Sequence, residues 1–179
     1  MYIPRDYLNI YTTDTQAKQI NSIILKYCNS DSIITDATAG IGGNTYFFCK
    51  TFKYVNVVEL DNNLENTLRL NLSPFSNKSY YFCSFNIIKF LVKQDIIFID
   101  PPWGGESYKQ KKKISLYLDN IDVLDIVNSL YYFCKIICLK VPNNFNITSI
   151  DNKFWEHKIY NINRSKKCIY KIIIFFKPT

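Results

Sequence analysis

Ile33-Ile34-Thr35-Asp36-Ala37-Thr38-Ala39-Gly40-Ile41-Gly42-Gly43-Asn44 carries the decision about the fold. Residues 32–36 are mostly apolar and β-branched and read as a buried strand. Gly40, Gly42 and Gly43 then let the backbone take conformations that a Cβ forbids and approach another group closely. A helix follows, which the pattern carries to about residue 53. Strand, glycine turn and helix form the opening of a βα unit, and in an open sheet such turns hold ligands at the carboxyl ends of strands. The spacing narrows the ligand. A dinucleotide fingerprint wants a glycine where Thr45 stands, and a phosphate-cradling loop wants a lysine that this turn lacks.

Outward from the turn, strands and helices alternate. A first helix is expected from Asp14 as N-cap to about Cys28, with Ile20, Ile23, Ile24 and Tyr27 on one face. Strands are expected over residues 55–59, 79–83 and 95–100, with helices over 62–71 and 85–92. Ile121, Leu124, Val127 and Tyr131 recur at helical spacing and place a helix over 119–131. Residues 135–141 read as a fifth strand. Two final strands, 155–161 and 168–176, are joined by the basic segment Asn163-Arg164-Ser165-Lys166-Lys167. The expected class is α/β: one domain over residues 1–179, with a mostly parallel seven-stranded sheet that is closed at one edge by an antiparallel hairpin.

Composition agrees with a packed domain. Of 179 residues, 47% are apolar and 21% charged, with only 5 Gly and 6 Pro, which excludes a disordered tail or a collagen-like fibre. The apolar run 172–176 falls far short of the roughly 20 residues that a membrane span needs. No apolar stretch follows Met1-Tyr2-Ile3-Pro4-Arg5-Asp6, so an intracellular protein without a membrane is expected. The net charge of +7 fits a polyanionic partner such as nucleic acid, or simply a lysine-rich proteome. Six cysteines form no C-x-x-C pair and the one histidine is His157, so neither a metal site nor disulfides are expected.

Two acids frame the turn. Asp36 precedes it, and Glu59 ends the next strand nineteen residues after Gly40, where a carboxylate can hold both hydroxyls of a ribose. An acid at the first turn suits a cationic amino-acid moiety better than a pyrophosphate, which favours S-adenosylmethionine over NAD. The second motif is Asp100-Pro101-Pro102-Trp103, at the end of the fourth strand. Asp100 and the Pro101 carbonyl are two acceptors on a frame that proline stiffens. They match the two hydrogens of an exocyclic amine, while the indole stacks on a base and attracts a cationic one.

Taken together, the run 36–45, Val58-Glu59-Leu60-Asp61, Asp100-Pro101-Pro102-Trp103-Gly104-Gly105 and Val141-Pro142-Asn143-Asn144 resemble the trimethylguanosine synthase family, the RNA cap guanine-N2 methyltransferases. The resemblance runs from about Tyr11 onward. It implies a class I, Rossmann-like methyltransferase fold and S-adenosylmethionine as donor. Thr13, Asp36, Gly40, Glu59, Ser84 and Phe85 would surround the cofactor. Trp103 would stack on 7-methylguanine, with Asp100, Pro101 and Pro102 framing its N2 amine and Asn71 touching the cap. Lys109 and Lys111, with Lys112 and Lys113, would meet the triphosphate or RNA backbone. This chain departs from the family in having Asp100 where Ser is frequent, Ser84-Phe85 where an acid often faces the adenine, and Asn143 where a basic residue is frequent.

The resemblance further implies capped RNA as partner, and a nuclear location or, for a viral chain, a cytoplasmic one. A monomer is expected. So is a protein partner in place of the family's N-terminal extension, of which about ten residues remain. Three rivals stay open: an adenine-N6 methyltransferase, a ribosomal-RNA guanine-N2 methyltransferase, and a non-catalytic cap- or RNA-binding module.

Overall fold

In the computed structural model, which describes residues 1–8, 11–150, 154–164 and 167–178, Thr13 rather than Asp14 caps the first helix, α1 (Asp14–Ile24). The Gln16 N–H donates to the Thr13 hydroxyl, and the Thr13 N–H donates back to Gln16 Oε1 at 3.0 Å. This reciprocal box satisfies two helix-end donors, which the residue one place later cannot do. The helix buries Ala17, Ile20, Ile23 and Ile24 and stops four residues before Cys28.

Two compact units divide the chain, residues 1–97 and 98–179. In the first, α1 leads to β1 (Ile33–Asp36), α2 (Gly43–Thr51), β2 (Tyr54–Val58), α3 (Glu65–Asn71), β3 (Lys78–Tyr81) and the short α4 (Phe85–Ile88). β1 pairs in parallel with β2, setting Ile34 opposite Val55 and Asp36 opposite Val57. β2 pairs in parallel with β3, Val57 opposite Tyr80. Parallel strands need crossovers, which α2 and α3 supply. Ile20, Ile24, Ile34, Phe48, Val58, Leu68 and Leu72 are wholly buried. Among the buried polar side chains is Asn56 within β2. Its amide donates to Thr35 Oγ1 and to the Lys93 carbonyl, both at 3.0 Å, so its burial leaves those hydrogens satisfied.

β4 (Ile96–Ile99) runs from the first unit into the second. The second unit goes on with β5 (Tyr117–Leu118), β6 (Ile121–Asp122), α5 (Val123–Ser129), β7 (Ile136–Pro142), β8 (Glu156–Arg164) and β9 (Lys167–Phe176). β9 is antiparallel to both β7 and β8, and Ile172, Ile173, Ile174 and Phe175 are wholly buried. The seven long strands follow the order β3-β2-β1-β4-β7-β9-β8, and β5 with β6 makes a separate ribbon. The α/β class and the closing hairpin are therefore as the pattern implies. Of the joining segment 163–167, Ser165 and Lys166 lie outside the described residues.

The expected helix over 119–131 is the main correction. Asp119 and Asn120 have φ of +52° and +65°, the two left-handed positions of a tight hairpin turn. Asp122 then accepts the Leu124 N–H at 2.8 Å and caps α5. Two turn-forming residues thus override the start of a helical repeat. Among the described residues, no helix is long and apolar enough to cross a membrane.

Burial pushes the Cys28 thiol up to about 11 and the Cys49 and Cys134 thiols up to about 12, from an ordinary value of 9.0. Nearby Lys78 and Lys177 pull the latter two back only in part. Between pH 9 and 12 the unfolded thiols ionise while the native ones hold their protons, so the native state binds more protons and stability falls as pH rises. Urea midpoints at pH 7.5 and 10.5 should drop less in Cys49→Ala/Cys134→Ala than in the parent protein. An equal drop in both would refute the assignment.

Candidate active site

At the end of β1 the Asp36 side chain turns inward and is 1% exposed. Its Oδ2 accepts the Thr45 hydroxyl at 2.6 Å and its Oδ1 the Thr38 N–H at 3.3 Å. These bonds fold the turn back onto the first residues of α2. Gly42 caps α2 with φ of +92°, and a Cβ there would come within 3.1 Å of Leu68. Gly40 also sits in the left-handed region, at +56°, but a Cβ on it would meet nothing within 4 Å. One glycine serves packing, the other borders open space.

Glu59 follows β2 and binds the turn directly. Its Oε2 accepts the Gly40 N–H at 2.6 Å, and its Oε1 accepts the Asp61 N–H at 2.8 Å. The Ala39 N–H donates to the Val58 carbonyl at 2.9 Å, so turn and strand end are joined by backbone as well. The segment before α1 passes the same turn: a Cβ on Gly43 would lie 2.9 Å from the Thr12 carbonyl, and Asn44 donates to Thr12 Oγ1 at 3.1 Å. That contact brings Thr13 beside the turn, exposed and occupied in capping α1. Ser84 caps α4 by accepting the Asn86 N–H at 3.1 Å, and Phe85 is buried.

Asn71 has a structural duty. Its Oδ1 accepts the Tyr2 N–H at 2.6 Å, and its Nδ2 donates to the Tyr2 and Ile41 carbonyls, each at 2.8 Å. The side chain clamps the N-terminal segment to the glycine turn.

In the second unit, Asp100 and Pro101 leave the end of β4, Pro101 buried and Pro102 exposed. Trp103 is half-buried, and the edge of one ring meets Tyr108 with centroids 5.4 Å apart. Its Nε1 has no hydrogen-bond partner among the described residues. Gly104 and Gly105 are left-handed at +90° and +65°, with open space where Cβ atoms would stand. They turn the chain into a 3-10 turn, Gly105–Gln110, and on to Lys111, Lys112 and Lys113, exposed like Lys109.

Three residues here had no role assigned from the sequence, although Asn144 stands in the quoted run 141–144. Asn144 donates to the Tyr108 and Lys111 carbonyls, each at 2.8 Å, and so fixes the lysine loop. Lys140, 6% exposed in a strand whose every residue is buried, sets its ammonium 2.6 Å from Asp100 Oδ2. It also lies 5.5 Å from the Trp103 ring centroid and 5.3 Å from that of Tyr170. Burial and the neighbouring charges of Asp100 and Cys138 push the Tyr170 phenol upward, so it stays protonated. The signal for Lys140 was present: a lysine within an apolar strand demands an acid.

Chemically, the first unit offers carboxylates and an open glycine turn. The second offers a carboxylate, a proline carbonyl, an aromatic face and a lysine loop. Glu59→Ala removes a carboxylate at the glycine turn, and the loss of one charge-assisted bond to a ligand costs roughly 1.5–3 kcal/mol. It should weaken cofactor binding about ten- to a hundredfold, whereas Glu59→Gln, which keeps one acceptor, should lose less. Titration calorimetry checks this, and unchanged affinity in Glu59→Ala would overturn the placement.

The family model for RNA cap guanine-N2 methyltransferases matches residues 31–175. A protein of Acanthamoeba polyphaga mimivirus, L320, is 37% identical over 143 residues, which is 74% of this chain and 53% of that protein. The chain thus spans about half the length of this curated relative. An rRNA methylase from Streptococcus thermophilus shares the fold at 11% identity, with 94% and 98% of the two chains covered and a TM-score of 0.65. So does a Streptococcus mutans protein in complex with SAH, at 13% identity, 90% and 97% coverage and a TM-score of 0.66. The class I methyltransferase fold is common to all of these structures, but it does not choose a substrate. The family match adds what the fold leaves open: this chain belongs to the RNA cap guanine-N2 methyltransferase family, and its cofactor is S-adenosylmethionine.

Proposed function

We propose that the chain methylates the exocyclic N2 of 7-methylguanosine in the 5′ cap of RNA. The observation that carries this reading is the loop after β4, where Trp103 is presented beside Asp100 and Pro101 and is followed by two left-handed glycines bordering open space. The first unit fits the cofactor: the space beside Gly40 is open, the part-exposed Glu59 suits a ribose, and the buried Asp36 shapes the turn that a cationic amino-acid moiety would meet. S-adenosylmethionine supplies an electrophilic methyl group on a sulfonium sulfur.

The chain's own residues position the acceptor. Asp100 and the Pro101 carbonyl accept the two N2 hydrogens and so aim the nitrogen lone pair. Trp103 holds the plane of the base, and the cationic ring of 7-methylguanine adds a cation–π attraction that neutral guanine lacks. With the cofactor held beside Gly40 and Glu59, the methyl group it supplies would be taken up at N2, and the spare N2 proton would pass to water. Alignment of the two reactants accounts for most of the acceleration. The exposed lysines 109 and 111–113, on a loop fixed by Asn144, suit the cap's triphosphate and the RNA that follows. With capped RNA as substrate the compartment is the nucleus, or the cytoplasm for a virus-encoded chain.

A second reading, methylation of another RNA base amine, is favoured by Asp100 itself, since the cap family frequently has Ser there. Labelled S-adenosylmethionine offered with 7-methylguanosine diphosphate or GDP separates the two. Label should pass to the 7-methylated nucleotide, and equal labelling of GDP would sink the cap reading. Trp103→Phe should keep part of the activity. Trp103→Ala should lose about ten- to a hundredfold in kcat/KM, the worth of one base stack at about 1–3 kcal/mol. S-adenosylmethionine affinity should hardly move in either variant. If Trp103→Phe equals the parent on every substrate while Trp103→Ala unfolds, the tryptophan is a packing residue.

A further inference from the structure

Lys140 is the only charged residue of β7, and it stands in the run Ile136–Pro142 with buried neighbours on both sides. Its ammonium meets the Asp100 carboxylate at 2.6 Å, the Trp103 ring at 5.5 Å and the Tyr170 ring at 5.3 Å. We propose that Lys140, paired with Asp100, determines how strongly Trp103 distinguishes a cationic base from a neutral one. The inference rests on the reading of Trp103 as a base-stacking platform.

The argument is one of charge balance. A cation beside an indole draws on the same ring quadrupole that would attract a cationic base, and it also repels that base directly. Alone, Lys140 would turn the platform against 7-methylguanine. Asp100, at contact distance, offsets that charge. Tyr170 approaches from β9 and contributes none, because burial, Asp100 and Cys138 keep its phenol protonated. The phenol oxygen of Tyr170 is buried without a hydrogen-bond partner among the described residues, so Tyr170 meets the ammonium with its ring face, not with an acceptor. Two opposite charges forty residues apart thus bear on the platform together. Removing either one tips the balance toward the other.

The test compares the parent protein with Lys140→Met, Asp100→Asn and Asp100→Asn/Lys140→Met. For each, dissociation constants of 7-methylguanosine diphosphate and GDP are measured by quenching of tryptophan fluorescence, with thermal midpoint and S-adenosylmethionine affinity as checks of folding. Preference for the 7-methylated nucleotide should rise about tenfold in Lys140→Met, where the positive charge beside the ring is gone. It should fall about tenfold in Asp100→Asn, where the negative charge is gone, and return to within about threefold of the parent in the double variant. A role of Lys140 in packing alone would change both constants together and leave their ratio fixed. The proposal is overturned by a ratio that stays the same in all four proteins, or by two single variants that shift it in the same direction. If Lys140→Met does not fold, the double variant, which buries no charge, must still show a higher ratio than Asp100→Asn. Failure of the cap reading looks different: the parent protein would bind both nucleotides alike, while the opposed shifts among the variants are still expected.

Discussion

Asp36 at the end of β1, Glu59 after β2 and Asp100 after β4 each bring a carboxylate to the end of a buried strand. A charge in that position must find donors, or its desolvation would undo much of what strand burial contributes. Each finds a different set. Asp36 takes a hydroxyl and a backbone N–H, Glu59 two backbone N–H groups, and Asp100 the ammonium of Lys140. The local shape at each strand end follows from that choice. Asp36 and Glu59 draw in the glycine turn, and Asp100 holds a lysine against the face of the tetrapeptide that it begins.

The two units divide the chemistry. In the first, backbone dominates: parallel pairing of β1, β2 and β3, a turn closed by backbone donors, and glycines placed where a Cβ would strike Leu68 or the Thr12 carbonyl. Such a site is shaped before a ligand arrives, which limits the ordering cost of binding. Asn71 extends the same logic by tying Tyr2 and Ile41 through one amide. In the second unit, side chains dominate. Trp103, Tyr108, Lys140 and Tyr170 gather at the loop after β4, and Asn144 pins the lysine segment through two carbonyls.

The antiparallel pairing of β9 with β7 makes that second group possible. It sets Lys140 opposite Ile172 and Pro142 opposite Tyr170, so that Tyr170 comes level with the end of β7. A slip of β9 by one residue would turn Tyr170 to the face opposite Lys140. The wholly buried run Ile172 to Phe175 holds the register, since any slip would expose apolar side chains now packed on both faces.

What the sequence determined by itself were the features carried by neighbours along the chain. The glycine turn with Asp36, the acid Glu59 at the next strand end, the run Asp100-Pro101-Pro102-Trp103 and the alternation that implies an α/β sheet all depend on short-range pattern. A glycine's freedom, a proline's stiffness and a strand's apolar period are local properties. What only the tertiary structure decided were the partners. Nothing near Asp100 in the chain announces Lys140, nothing near Lys111 announces Asn144, and nothing near Asn71 announces Tyr2. The start of α5 was legible locally but read wrongly, because Asp119 and Asn120 form a hairpin turn where a helical repeat had pointed to helix. Those pairings arise from strand register and from the need of each buried charge and amide to be satisfied, and both are settled only when distant segments pack.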